Sequence, residues 1–444
     1  MTDSATEARP AIVPEAKQAG EVRARWAWVE PCVWTERMLT ALEVGVKGGK
    51  WFSLIDKVSA PRTLRRAFAR VKANGGAAGV DHQTIAMYEQ RLEEQTEYLA
   101  QALKEGSYQP AAVRREWIPK PGSREKRPLG IPTVRDRVVE KALQTTIEPI
   151  FERDFAEQSY GFRPGRSCKD ALRRVDQLLK QGLRWVVDAD LKSYFDTIPH
   201  EQLLKQVEEK VADGRVLELI CKYLKQGVLD ELREWTPETG TPQGAVISPL
   251  LSNIYLNPLD HLMAAAGWEM VRYADDFVVL CGSKAEAESA LAVVQQWTVE
   301  AGLTLHPEKT RIVDATQAGG FDFLGYHFEC GQRRPRRKSL KKFKDSIRAK
   351  TKRNNGQSLQ VIIAKVNRTT KGWFAYFKHS HRYTFDPLDP FIRMRLRSIL
   401  RRRSGRRGIA SGGDFVRWTN AFFTEQGLFS LATAHAELRQ SVTR

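Results

Sequence analysis

Apolar positions recur along this chain at two periods, and the change from one to the other marks its elements. After Ser59, Leu64, Ala67, Phe68 and Val71 fall on one face, the spacing of an amphipathic helix. Asn74-Gly75-Gly76 ends that helix, and Asp81 stands where it would cap a second one. Val113 to Pro132 reads instead as two extended runs around a Pro-Gly-Ser turn, a β-hairpin. Arg135 to Phe155 predicts a helix, and a Gly/Pro loop from Ser159 to Arg166 opens another at Ser167. Trp185 to His200 predicts a buried strand that ends in acids and leads into a helix. Gly240-Thr241-Pro242-Gln243-Gly244 opens an apolar helix, Ala245 to Leu256. A helix from Ser283 to Ala301, the turn and strand LTLHPEKTRIV, and the Gly-bearing run Phe321 to Phe328 follow.

The run that organises the rest is WEMVRYADDFVVLC, Trp268 to Cys281. Apolar stretches on both sides of Asp275-Asp276 read as a hairpin. Neighbouring residues of a strand point to opposite faces, so two Asp together at a tight turn are a special arrangement. A turn can present both at a strand end, where they could hold divalent ions; a solvated Asp-Asp turn is the plain alternative. Upstream, Asp188, Asp190 and Asp196 are further candidates. Asp190 is favoured because it closes the apolar run, with Phe195 five residues on. An Asp ending a strand serves equally as a helix cap; the distant Asp pair favours the ligand reading.

The 444 residues suffice for more than one core, and no stretch of about 18 apolar residues predicts a membrane helix. The first 20 residues are polar, without the apolar centre of a signal peptide. A net charge of +18 points to a polyanionic partner. Five scattered cysteines with no CxxC pair fit a reducing compartment and argue against structural zinc. The density of Trp26, Trp28, Trp34 and Trp51 indicates core packing more than base stacking. Arg62, Arg65, Arg66, Arg70 and Lys72 on the polar face of the first helix form either a solvated or a phosphate-contacting face. Arg114, Arg115, Lys120, Arg124, Lys126 and Arg127 line the Val113 hairpin, where cations could grip a triphosphate. From Arg333 the chain turns strongly basic, and Trp373 to Arg403 interleaves aromatics with Arg runs, as in a lobe that grips nucleic acid. Arg401 to Gly408 reads as a flexible basic linker to a short tail.

The blocks WIPKPGSREKRPLGIPTVRDRVVEKAL, EQSYGFRPGRSCKDAL, WVVDADLKSYFDTIPH, GTPQGAVISPLLSNIYLN, RYADDFVVL, GLTLHPEKTRIV and FDFLGYHF resemble, in order, those of bacterial group II intron reverse transcriptase/maturases. The resemblance covers roughly residues 35 to 440, and KGWFAYFKHSHRYTFDPLDPFIRMRLRSILRRR resembles the maturase segment. It implies an α+β right-hand polymerase, with fingers and an antiparallel palm followed by an α-helical thumb. An N-terminal extension would occupy 1–50, fingers and palm 51–330, thumb/maturase 331–403, and a basic linker and tail 404–444. It further implies Asp190, Asp275 and Asp276 as catalytic metal ligands for two Mg²⁺ ions. Phe195 would be the sugar gate and Lys120 and Arg127 the triphosphate cations. Gln243 would touch template and nucleotide, Lys309 would donate a proton to pyrophosphate, and Phe323-Leu324-Gly325 would be the primer grip.

The implied activity is RNA-directed DNA synthesis, with binding of a group II intron RNA to assist splicing and copying of that RNA during intron mobility. Implied partners are the intron RNA, target DNA, primer–template and dNTPs, with no membrane, in a cytoplasmic bacterial ribonucleoprotein. A reverse transcriptase of a defence or diversity-generating system, or a maturase acting only as an RNA-binding splicing factor, are the alternatives. After Arg407 the sequence holds no Cys and only His435, too few groups for the family's metal-bearing endonuclease. Cleavage of the second DNA strand is therefore not expected.

Overall fold

The computed structural model describes residues 24–46, 48–119, 126–230 and 233–443. Its strands, in chain order, are β1 (Val113–Pro119), β2 (Lys126–Ile131), β3 (Trp185–Asp190), β4 (Val228–Asp230), β5 (Arg233–Trp235), β6 (Glu269–Tyr273), β7 (Asp276–Cys281), β8 (Arg311–Asp314), β9 (Phe321–Phe323), β10 (Tyr326–Glu329) and β11 (Gln332–Pro335). They form three sheets, ordered β2-β1-β4-β5, β6-β7-β3-β8 and β11-β10-β9. The chain divides into two units.

The first unit takes in residues 24–115, Gly130–Phe155 and Pro199–Ile254. Pro61 starts the helix Pro61–Asn74, and Thr63, Leu64, Ala67, Phe68 and Val71 bury its apolar stripe. Cations on its opposite face are held by carboxylates. Arg65 pairs with Glu93, Arg66 and Arg70 with Glu30, and Lys72 with Glu89. The next helix starts at Ile85 with Thr84 as its cap, not at Asp81. The Asp81 carboxylate instead accepts from the Gln83 amide, closing a local turn. Trp26 and Trp34 are buried, the Trp34 indole donating to the Thr145 carbonyl at 3.1 Å. The helix Val134–Glu152 buries even Asp136 and Glu140. β1 and β4 run parallel, with Val113 opposite Val228.

The second unit takes in 116–119, 126–129, Ala156–Ile198 and 255–443. β3 lies between β7 and β8, antiparallel to both. Its alternation sends Val186 into a core with Val278 and Leu280 of β7, roofed by Ala171, Leu172, Val175 and Leu178. Those four belong to the helix Cys168–Lys180, which opens on a reciprocal capping box between Ser167 and Asp170. The helix Lys284–Glu300, capped by Ser283, packs on β3 and β7. Phe321, Phe323, Tyr326 and Phe328 from β9 and β10 join the first core, and Phe377 reaches it from the helix Leu359–Phe377.

A second core in this unit joins the helices Arg337–Lys350, Leu359–Phe377 and Leu388–Arg403 through Phe343, Ile347, Ile363, Val366, Ile392 and Leu396. The residues beyond Arg403 do not hang from this core on a loose linker. Trp418, Phe423 and Leu431 are buried within it. Asp414 accepts from Arg401 at 2.6 Å, and Asp389 accepts from the Leu431 and Ala432 amides. The sequence shows the Arg run but not these carboxylates that tie it down.

Candidate active site

β6 and β7 are joined through Ala274 and Asp275, with Tyr273 opposite Asp276. Ala274 holds a left-handed φ of 59°, a conformation that strains any residue with a Cβ by about 1–3 kcal/mol and persists only where the surroundings enforce it. Arg272 supplies the enforcement. Its guanidinium is wholly buried and paired with the equally buried Asp260. Nη1 donates to the Ala274 carbonyl at 2.9 Å and Nη2 to Ser159 Oγ at 2.8 Å. On the other flank, the Tyr160 amide donates to the Arg272 carbonyl and the Arg272 amide to the Gln158 carbonyl. Gly161 comes so close that a Cβ there would stand 2.3 Å from the Ala274 nitrogen.

The turn delivers its carboxylates to β3. Asp190 is the cross-strand partner of Asp276 at the end of the β3–β7 ladder, so both side chains leave the same face. Lys309 Nζ lies 2.5 Å from Asp190 Oδ2. Burial holds Asp275 above the usual carboxylate range; the charge of Asp190 adds to this, and Arg272 and Lys309 oppose it. Burial, with the charges of Asp188, Asp275 and Asp190, pushes Asp276 up to about 7, even though it accepts a bond from the Leu324 amide. Asp188 joins the cluster from one pleat back on β3. Burial raises it to about 6 against the pull of Arg311, 3.4 Å away.

Among the described residues no group of three or more His, Cys, Asp or Glu is drawn tightly enough to hold a metal ion as it stands. The donor set nonetheless suits a hard divalent cation, because crowded, half-desolvated carboxylate oxygens repel one another until positive charge is brought between them. Lys309 supplies part of that charge.

The other expected residues are distributed as follows. Phe195 sits in the short helix Tyr194–Thr197 directly after β3, its ring 5.5 Å from that of Tyr194. Asp196 is exposed on the same helix. The expected primer-grip turn runs from β9 into β10, with Leu324 and Gly325 at φ 47° and 84°. The Leu324 carbonyl accepts from the Tyr376 hydroxyl at 2.7 Å, so one turn touches both Asp276 and the helix Leu359–Phe377. Gln243 lies in the first unit, its carbonyl accepting from the Gly130 amide at 2.6 Å. The loop that carries it is held by Glu140, whose carboxylate accepts from the Val246 and Ile247 amides. The apolar helix after that loop spans Ser248–Ala265. Lys120 and the Arg127 side chain lie outside the described residues; Arg127 belongs to β2. Arg114 of the same hairpin donates to the Ala78 carbonyl, and Arg115 lies over the Trp235 ring at 4.4 Å.

Sequence reasoning passes over Arg272, Asp260, Ser159 and Gly161 as members of the site. Arg272 precedes the Tyr, and a lone Arg inside an apolar strand is a signal of a buried partner. Nothing in the spacing identifies that partner as Asp260.

Carboxylates converging from two strands under such a clamp are the equipment of cation-assisted nucleotidyl transfer. A model of the family "Reverse transcriptase (RNA-dependent DNA polymerase)" matches residues 118–328, which makes the chain an RNA-directed DNA polymerase of the right-hand, α+β kind. A second model, "Group II intron, maturase-specific domain", matches 340–412. Protein YkfC of Escherichia coli (strain K12) is 34% identical over 385 residues, 77% of this chain and 95% of YkfC. Group II intron-encoded protein LtrA of Lactococcus lactis subsp. cremoris is 43% identical over 168 residues, 38% of this chain and 28% of LtrA. Among solved structures, a chain of the "Partial Cas6-RT-Cas1--Cas2 complex" is 24% identical over 56% of this chain and 41% of that one, at a TM-score of 0.35, too slight a likeness to carry weight. The chain belongs to the family of group II intron reverse transcriptase/maturases. Reverse transcriptases work with divalent metal ions. No helix among the described residues is long and apolar enough to cross a membrane.

Proposed function

We propose that Asp190, Asp275 and Asp276 are the catalytic carboxylates, and that the chain uses them to copy an RNA, its group II intron, into DNA. The observation that carries this reading is the pairing of Asp190 with Asp276 at the strand ends, beside a turn strained and clamped to present Asp275. Two Mg²⁺ ions, held mainly by Asp190 and Asp275, would supply Lewis-acid stabilisation of charge at the attacking and leaving oxygens.

In the bond-making step the primer 3′-oxygen attacks the α-phosphorus of a dNTP in line with the departing pyrophosphate. The oxygen–phosphorus bond to the primer forms, the α–β bridge breaks, and the hydroxyl proton is lost as pyrophosphate gains one. Lys309 is the assigned proton donor to pyrophosphate, a reading that its ion pair with Asp190 supports. Phe195, next along the chain from β3, is assigned to exclude a 2′-hydroxyl. Lys120 and Arg127 are assigned to the triphosphate, and Gln243 to the template and nucleotide.

Residues 51–330 then form fingers and palm, and 331–403 the thumb that binds intron RNA and assists splicing. The working form would be a cytoplasmic bacterial ribonucleoprotein that engages target DNA during mobility. The test is primer extension on an annealed RNA template with Mg²⁺ and dNTPs. Asp275→Ala is expected to lower extension at least about 10³-fold, the scale of losing electrostatic stabilisation of the transition state. Wild-type rates in that variant would remove Asp275 from the site.

A further inference from the structure

The second unit holds a cleft of about 600 Å³ far from the carboxylates in sequence, lined by the segment Lys378–Tyr383, Arg333 and the last helix. The cleft is built rather than incidental. Arg333 Nε donates to the His379 carbonyl at 2.9 Å, and the His381 amide donates back to the Arg333 carbonyl at 2.9 Å. His435, which the sequence leaves without a role, is buried against the Phe385 ring at 4.7 Å and bonds through its own ring to the Ser380 backbone. Arg382 lies over the Tyr383 ring at 4.7 Å.

No carboxylate lines the cleft among the described residues. Asp176 of the helix Cys168–Lys180 pairs with Lys180 at 3.0 Å and with Arg333 at 3.4 Å and acts on His379, and Asp386 acts on His435. Ser380 is only 3% exposed at the edge of the cleft, its hydroxyl turned to the Tyr326 oxygen, whose own proton goes to the Tyr376 carbonyl at 2.6 Å.

We propose that this cleft is a phosphate-binding site, in which Lys378, Arg382 and Arg439 supply charge while His379 and His381 supply directed hydrogen bonds to the phosphate oxygens. A planar guanidinium matches two of those oxygens at once. Burial lowers His379 and His435, which favours their neutral forms. The site therefore selects an oxyanion by geometry as well as by charge, unlike the bare cationic helix faces of the same lobe. The phosphate is either a phosphodiester of bound RNA or a free phosphate. The assignment does not depend on the palm carboxylates, so it stands or falls separately from the polymerase assignments.

The experiment uses the full-length protein and two readouts: imidazole NMR signals during titration with inorganic phosphate at constant ionic strength, and RNA affinity as a function of salt. Phosphate is expected to shift the signals of His379, His381 and His435 and to compete with RNA. Lys378→Ala/Arg382→Ala should bind RNA about tenfold more weakly, with the slope of log affinity against log salt reduced by roughly 1.5–2, as for two lost phosphate contacts. His381→Ala should weaken binding with its slope unchanged. A phosphate shift without competition supports the site and assigns it to free phosphate. Loss of RNA affinity in the variants without a phosphate shift supports it and assigns it to the RNA backbone. Unmoved imidazole signals, together with wild-type affinity and slope in the exposed single variant Arg382→Ala, would overturn it. The titration of the wild-type protein decides the matter even if the double variant does not fold.

Discussion

Gly161 illustrates how little room the turn at Ala274-Asp275 leaves. A single methyl group there would overlap the backbone at Tyr273 and Ala274, and backbone cannot move aside as a flexible side chain can. Gly161→Ala should therefore displace the Asp275 carboxylate, because even an ångström of misplacement costs about 10²-fold in rate. Steady-state extension should show kcat falling by that order while the affinity for primer–template is kept. On the proposed assignment Phe195 makes the opposite case, in which space is denied to a 2′-hydroxyl. Phe195→Val should admit ribonucleotides, read as a rise of at least about tenfold in the rNTP/dNTP incorporation ratio. An unchanged ratio would place the sugar gate on another residue.

At the scale of elements, the helix Val134–Glu152 carries an acid whose environment opposes its charge. Burial, with Asp136 nearby, pushes Glu140 up to about 8, although the Val246 and Ile247 amides favour its ionised form. Unfolded, the same group titrates near 4.5. A raised folded pKa contributes stability that is complete below about pH 4.5 and is lost as pH rises through about 8. Glu140→Gln keeps an acceptor for both amides and removes the charge. Its denaturation midpoint should exceed that of the wild type at pH 8.5, and the gap should close towards pH 5. A gap that does not vary with pH would show that Glu140 stays ionised.

Elements were also what the sequence conveyed best. The helix Pro61–Asn74, the hairpin around Ala274-Asp275 and β3 ending at Asp190 follow from period and punctuation alone, because each buries one stripe or one face. Asp81 shows where local reasoning stops. An Asx turn and a helix cap use the same side chain, and only the fold decides that Thr84 starts the helix. The Arg272–Asp260 pair was hidden for another reason. Its partners stand 12 positions apart on a strand and a helix, and no periodicity links a buried cation to its counter-ion. The fate of the tail was equally out of reach, since the aromatics that bury it lie on helices too short to show a pattern.

For the whole molecule, the two cores of the second unit give polymerisation and RNA grip separate foundations. The carboxylates stand over the first core and the cations of Arg337–Lys350 over the second. Phosphate contacts there need no ordered palm metals. Asp275→Ala should thus still promote splicing of its own intron, while neutralising Lys341 and Lys342 should weaken RNA binding and flatten its salt dependence. Splicing lost in step with extension in Asp275→Ala would tie the palm site to RNA folding.

The place of β3 between β7 and β8 also sets a schedule for biosynthesis. About 120 residues separate Asp190 from Arg311. At the 5–20 residues per second typical of translation, the ribosome needs on the order of 6–24 seconds to deliver the second neighbour once the first strand has emerged. Until β7 follows, about 86 residues on, Trp185–Asp190 offers nascent chains an apolar ribbon with both edges unpaired, and one edge stays open until β8 arrives. Chaperone demand should therefore peak before the last third of the chain is made, and slow codons between residues 200 and 310 should lower the yield of folded enzyme.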